Sequence, residues 1–294
     1  MSVTVGVDLG GTKISTVAVT SDGSVQRPHS DTHQARGEIE VLELVTTAVS
    51  RYVADQTVTA VGLAVAAWLS ADRSTVTFAV NLGLTAVRLG DALSARLGVP
   101  VVVENDGNAA AVGEATFGAA RGSRLSVMLT VGTGVGGGVV FDGRVLAGGH
   151  GLAGELGHMS LDAQGPACPC GGHGCVESYA CGPSIARAAG TADAREAVVA
   201  AKRGDSAALD ALESAGTALG RGAARLTAVL DPDVVVIGGG VSMGAGDLLL
   251  RPIRRTLHSE RSLSRVIAPP KVCLAVCGSN AGALGAAAIA ALSS

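Results

Sequence analysis

The chain has 294 residues, 48% of them hydrophobic and 16% charged, with a formal net charge of -3. It is long enough to bury a large core in one or two domains and too apolar to be disordered. Aromatic residues make up only 2% while glycines number 42, so the core must be built from Val, Leu, Ile and Ala with backbone packed on backbone. With no basic stripe and few rings to stack on bases, nucleic acid is excluded as a partner.

The opening MSVTVGVDLGGTK has no basic n-region, and Asp8 interrupts its apolar run, unlike a signal peptide. No apolar stretch reaches the roughly 20 residues of a membrane helix. A cytoplasmic protein without a membrane partner is expected, its six cysteines serving as ligands or buried thiols and not as disulfides.

In chain order, Val3, Val5 and Val7 alternate as a strand, Gly10 and Gly11 turn, and a second strand covers 14–19. A helix is expected over 38–55, with Ile39, Leu42, Val45 and Val49 on its apolar face. Strands follow at 60–65 and 99–103, then a helix from Gly107 towards Gly118. The pattern restarts with a strand at 125–131, GTGVGGG as a tight turn, and a returning strand at 139–141. VGVDLGGTKISTVAV and LTVGTGVGGGVVF thus read as one strand–turn–strand unit used twice, which implies two related α/β domains facing each other. A loop-rich insertion at 148–177 precedes Ala-rich helices, a buried strand at 234–237, a GGG turn and a strand at 272–276. The expected domains are 1–115 and 116–279, with a closing helix at 280–294 packing back on the first.

Three glycine turns follow apolar strands: Gly10 and Gly11 with Thr12 and Lys13; Gly132, Thr133 and Gly134 with Gly136, Gly137 and Gly138; and Gly238, Gly239 and Gly240. Glycine lets backbone N–H groups form a nest for phosphate oxygens, and the threonines and Lys13 add donors. A strand and not a helix follows GTGVGG, so the dinucleotide fingerprint does not apply, and no P-loop string occurs. Asp8 before the first turn suits Mg²⁺. In VVVENDGNAA, Asn105 and Asp106 end a strand before a helix, where an acid can serve as the base for an attacking hydroxyl or simply cap the helix. Cys168, Cys170 and Cys175 form a knuckle that one histidine, His158 or His173, completes as a closed, structural zinc site. That site would stiffen the loops bearing Glu155 and Glu177, whose carboxylates suit sugar hydroxyls. Cys273 and Cys277 read as core.

VDLGGTK, ENDGNAA, VGTGVGGG, GELGH and CPCGGHGCVE, in this order, resemble the ROK family (repressors, open reading frames and kinases), most of all its bacterial glucokinases. The resemblance implies two actin-like (ribonuclease H-like) α/β domains around a central cleft, in a homodimer or homotetramer. It implies transfer of the ATP γ-phosphate to a hexose, foremost the glucose 6-hydroxyl, with ATP phosphates at the first two glycine turns and the nucleoside near the third. Asp106 matches the base; Asn105, Glu155, His158 and Glu177 match hexose contacts, with His158 also on zinc. Other acceptors in such kinases are N-acetylmannosamine, fructose and allose, another donor is polyphosphate, and a remoter relative is the sugar-binding transcription regulator. Where the family has GxPGPVD and PNLxW, this chain has Ala66, Ala67, Val80 and Leu84 in place of Pro, Gly, Pro and Trp, so the sugar-pocket wall is altered, with Trp68 and Asn81 as candidate wall residues.

Overall fold

A computed structural model describes residues 2–260, 266 and 268–293. The elements run β1 (Ser2–Leu9), β2 (Lys13–Thr20), β3 (Val25–Thr32), α1 (Gly37–Val53), β4 (Thr57–Val65), β5 (Trp68–Leu69), β6 (Val76–Ala79), β7 (Leu84–Val87), α2 (Leu89–Leu97), β8 (Val101–Asn105) and α3 (Asp106–Phe117). They continue with β9 (Leu125–Val131), β10 (Val135–Phe141), β11 (Arg144–Val145), α4 (Val176–Ala180), α5 (Gly182–Ala189), α6 (Ala194–Lys202) and α7 (Ser206–Leu230). The last are β12 (Val234–Gly238), α8 (Gly240–Ala245), α9 (Asp247–Glu260), β13 (Lys271–Leu274) and α10 (Ala281–Ser293). Among the described residues no helix is long and apolar enough to cross a membrane.

The expected repeat is visible in the sheets. One is ordered β3-β2-β1-β4-β8 and the other β11-β10-β9-β12-β13, so the same order is used twice, as in actin-like domains. In the first sheet β1 pairs antiparallel with β2 and parallel with β4, and β4 pairs parallel with β8. Central β1 is buried on both faces: Val3, Val5 and Val7 fill one side, and Thr4 and Gly6, which alternate with them, are buried on the other. A small third sheet, β5-β6-β7, adjoins the strand ends. By compactness the chain divides into two units, Met1–Gly122 with Gly138–Gly154 and Ser279–Ser294, and Ser123–Gly137 with Glu155–Gly278.

Several expectations are corrected. Ile39 is 69% exposed; the buried stripe of α1 is Val41, Leu42, Val45, Ala48, Val49 and Tyr52. At 100° per residue Ile39 lies roughly 120° from the centre of that stripe. Strand β10 starts at Val135, so Gly136, Gly137 and Gly138 belong to the strand and the turn is only Gly132 to Gly134. Cys273 and Cys277 are half-buried and not core: Cys273 lies on β13, an edge strand, and Cys277 lies beyond its end. Strand β3 escaped the pattern because VQRPHSDT is mostly exposed and carries no alternation.

Helix α10 is the closest-packed element of the first unit. It lies on β1, β4 and α3, and glycines hold the approach. A Cβ at Gly6 would overlap the Ala283 carbonyl, at Gly62 that of Ala286, at Gly113 that of Ala281, and at Gly285 that of Ala109. The scarcity of rings and the wealth of glycine have this physical use: backbones meet at distances no side chain permits. Gly285→Ala is therefore expected to lower stability by about 3 kcal/mol, the upper range of overpacking, measurable as a drop in the denaturant midpoint.

Candidate active site

In the first unit, the turn after β1 closes through the Gly10 N–H donating to the Lys13 carbonyl at 2.9 Å. His33 Nε2 lies 3.0 Å from the Gly10 carbonyl, and Arg36 Nη1 donates to that of Gly11 at 2.9 Å. These two braces carried no signal in the sequence. A Cβ at Gly11 would sit 2.8 Å from the Cβ of Asn81, which places Asn81 directly against this turn. Thr12 and Lys13 are exposed on its outer side.

Asn105 ends β8 and caps α3: its Oδ1 accepts from the Asn108 N–H at 3.1 Å, and its Nδ2 donates to the Ala67 carbonyl at 3.2 Å. Asp106 is the first residue of α3, and its Oδ1 accepts from the Gly107 N–H at 2.9 Å. The capping role and a chemical role thus fall to adjacent residues: Asn105 makes the cap and Asp106 is released from it. Asp106 is reached by water yet densely surrounded by protein, and this loss of solvent raises its carboxyl above the usual range, the Gly107 bond acting the other way.

The charge of Asp106 acts on Asp8. Desolvation first, then the Asp106 charge, push Asp8 up to about 7, while Lys13 pulls it back. Gly282 in the first turn of α10 makes room for this carboxylate, since a Cβ there would lie 2.6 Å from Asp8 Oδ2. Two carboxylates that resist joint ionisation suit a divalent cation, which would discharge both.

The altered wall is now specific. Ala67 is buried and supplies the carbonyl that holds Asn105. Leu84 is buried in the core, while Val80 is 70% exposed. Trp68, half exposed, pairs with Phe78 across β5 and β6 with ring centroids 6.1 Å apart.

In the second unit, the turn after β9 closes through the Gly132 N–H donating to the Gly134 carbonyl at 2.9 Å. Glu177 Oε2 accepts from the Val135 N–H at 2.8 Å, and a Cβ at Gly134 would come within 2.5 Å of that oxygen. One oxygen of Glu177 is therefore committed to this turn. Gly136, Gly137 and Gly138 face Thr130, Met128 and Ala111, so their missing side chains serve packing. Gly238 ends β12 against Met128, and Gly239 turns with φ +88° against Val131. Gly240, opening α8, faces open space, as does Gly132. With Gly132 and Thr133 it lines a cavity of about 1020 Å³ whose apolar wall includes Ala186, Val198 and Val241 and whose edge carries Arg187, Arg195 and Lys202.

His158, Cys168, Cys170 and Cys175 converge, their ligand atoms all within 4.8 Å of one another, and His173 is not among them. His158 Nδ1 is 3.6 Å from Cys168 Sγ, and Cys170 Sγ is 3.7 Å from Cys175 Sγ. A tetrahedron with zinc–sulfur bonds of about 2.3 Å and a zinc–nitrogen bond of about 2.0 Å has edges of roughly 3.6 and 3.8 Å. These separations fit that figure and are far from a disulfide. Burial, with Cys168 and Cys170 beside it, pushes the Cys175 thiol up to about 12, so three thiolates do not coexist there unless a cation joins them. The other ring nitrogen, Nε2, lies 3.8 Å from Glu155 Oε2.

Sequence reasoning missed a second buried network. Glu104 Oε2 accepts from Arg73 Nε at 2.9 Å, while Glu104 Oε1 accepts from the Asn105 N–H at 2.8 Å and from Asn108 Nδ2 at 3.1 Å. Glu104 stands in the same ENDGN string, but only its partners reveal a role.

The family model described as ROK family matches residues 4–292. The glucokinase of Streptomyces coelicolor is 35% identical over 99% of this chain and 98% of its own length. The N-acetylmannosamine kinase of Citrobacter koseri is 35% identical over 98% of each. Among solved structures, a ROK family glucokinase from Streptomyces griseus in complex with glucose and AMPPNP aligns with a TM-score of 0.85 and 33% identity, over 99% of both chains. Matched along nearly its whole length in both sequence and fold, the chain belongs to the ROK family.

Proposed function

We propose that this protein is an ATP-dependent hexose kinase that transfers the γ-phosphoryl group to the 6-hydroxyl of glucose. The observation that carries the reading is Asp106: a carboxylate at the start of α3, released from capping by Asn105, fixed by one backbone N–H and raised in pKa by its surroundings. Such a group accepts the hydroxyl proton as the oxygen attacks phosphorus. The glucokinase relatives, one of them solved with glucose and an ATP analogue, support the substrate pair.

The remaining roles are proposed from the chemistry of each residue and from the family resemblance. Gly10, Gly11, Thr12 and Lys13, with Gly132, Thr133 and Gly134, offer N–H groups, hydroxyls and one charge to the donor phosphates. The cavity at Gly132, Thr133 and Gly240 is roomy and apolar enough for the nucleoside. Gly136, Gly137, Gly138, Gly238 and Gly239 shape these turns from behind. Asp8 would hold Mg²⁺, whose charge neutralises the donor phosphates. Asn105 keeps one Nδ2 hydrogen for a hexose hydroxyl, and Glu155, His158 and the uncommitted oxygen of Glu177 take others. Zinc would be held by Cys168, Cys170, Cys175 and His158 Nδ1; with four protein ligands its role is structural. His158 Nε2 then serves the sugar side, so metal binding orients a substrate group. The protein is expected to act in the cytoplasm as a homodimer or homotetramer. The N-acetylmannosamine kinase, also 35% identical, makes that sugar the second acceptor to test, against glucose, in a coupled ADP-release assay.

Four outcomes check these roles. Asp106→Asn is expected to lower kcat by about 10²-fold or more while hexose affinity in calorimetry stays near wild type; an unchanged kcat removes the base assignment. In the wild type, kcat should fall on the acid side from a pH above the ordinary carboxylate range, because Asp106 must be ionised to act.

Asp8 ionises near 7 in the folded chain and at 3.8 when nothing perturbs it, so between those values the native state holds a proton that the unfolded chain has released. Its contribution to stability is present below that window and is lost as pH rises through it. The metal-free Asp8→Asn variant should therefore melt above wild type at pH 8, and added Mg²⁺ should raise the Tm of wild type only.

Purified, dialysed protein should carry one zinc per chain in elemental analysis, and Cys168→Ala should lose it along with much of the hexose affinity.

A further inference from the structure

Arg73 sits in the turn between β5 and β6 with φ +60°, a left-handed conformation that a long side chain avoids. The turn enforces it. Asp72 Oδ1 accepts from the hydroxyl of Ser70 at 2.6 Å and from the Ser74 N–H at 3.0 Å, and the Arg73 N–H donates to the Ser70 carbonyl at 2.9 Å. The guanidinium is thereby directed inward. Its side chain is 16% exposed and that of its partner Glu104 is 8% exposed. Nε donates to Glu104 Oε2 at 2.9 Å, and Nη1 donates to the Gly151 carbonyl at 3.3 Å. Gly151 itself has φ +80°, and a Cβ there would lie 2.6 Å from Nη1, so this loop takes its course around the arginine. Nη2 is buried and has no partner among the described residues.

This is an expensive arrangement: a strained backbone, a desolvated ion pair and an unsatisfied donor, where an apolar pair would serve packing better. What it controls lies on the other side of Glu104. With Oε2 pinned by Arg73, Oε1 is aimed at both the Asn105 N–H and Asn108 Nδ2. Asn105 in turn caps α3 through Asn108 and holds the Ala67 carbonyl. If the Glu104 carboxylate rotates, Asn105 loses its backbone anchor and α3 loses its fixed start, where Asp106 stands.

We propose that Arg73 is a positioning residue for the sugar acceptor: through Glu104 it sets the orientation of Asn105 and Asp106, and through Gly151 it ties down the adjoining loop. The inference rests on the hexose kinase reading above, and the test separates the two. Steady-state kinetics are measured with glucose and with ATP varied in turn, for wild type, Arg73→Lys and the double variant Arg73→Met/Glu104→Gln. Lysine keeps the buried charge, so the fold is retained, but it lacks the fork that reaches Glu104 and Gly151 together. The double variant removes both charges and leaves an amide oxygen at position 104.

Both variants are expected to raise the KM for glucose at least about fivefold, the scale of a lost charge-assisted hydrogen bond, while the KM for ATP stays within twofold and the kcat of Arg73→Lys falls less than its glucose affinity. A purely structural role would lower the Tm without splitting the two KM values. Wild-type KM values for both substrates in either folded variant overturn the inference. If wild type itself phosphorylates no hexose, the functional reading fails instead.

Discussion

The first unit depends on how closely the backbone of α10 approaches its neighbours. Gly6, Gly62, Gly113 and Gly285 remove the side chains that would otherwise keep α10 off β1, β4 and α3. Dispersion attraction at that distance is small for each atom pair and large in sum, and it holds together elements that are remote in sequence. The same seating has a local consequence. It brings Gly282 against the carboxylate of Asp8, and α10 shares its partner α3 with Asp106. Core packing and the geometry of the two acids are one constraint here, expressed in a composition poor in rings and rich in glycine.

Around those acids, the fold accepts unfavourable electrostatics. Asp8 is pushed up by burial and by Asp106, Asp106 by the loss of water around it, and Arg73 keeps an unpartnered buried donor. Each of these lowers the stability of the free protein. The zinc-type cluster of the second unit follows the same logic with a different remedy. Three thiols and an imidazole crowd to within 4.8 Å, a set that one dication satisfies at once, and the imidazole is left with its second nitrogen beside Glu155. A metal held there would stabilise the loop and orient the imidazole at the same time.

Much of this was legible along the chain. The repeat of strand, glycine turn and strand pointed to two related α/β sheets because pleat and turn chemistry are local and leave a local pattern. The cysteine spacing pointed to a tetrahedral cluster for the same reason: Cys168, Cys170 and Cys175 lie within one short loop. Two readings of the glycines were less secure. Gly136 to Gly138 looked like a continuation of the turn but lie in β10, and Gly238 and Gly239 are small because Met128 and Val131 crowd them. A glycine needed for a ligand and a glycine needed for packing are the same letter, and only neighbouring atoms separate them.

The sequence by itself determined the α/β class, the repeated sheet, the two acids at strand ends and the composition of the cysteine knuckle, since each rests on contacts between residues close in the chain. Tertiary structure alone decided which glycines face open space, how Asp106 perturbs Asp8, and that Arg73 reaches Glu104 and Gly151. Those pairs are separated by tens of residues or more, and burial, Coulomb interaction and hydrogen bonding act through distance in space, which a linear pattern does not encode.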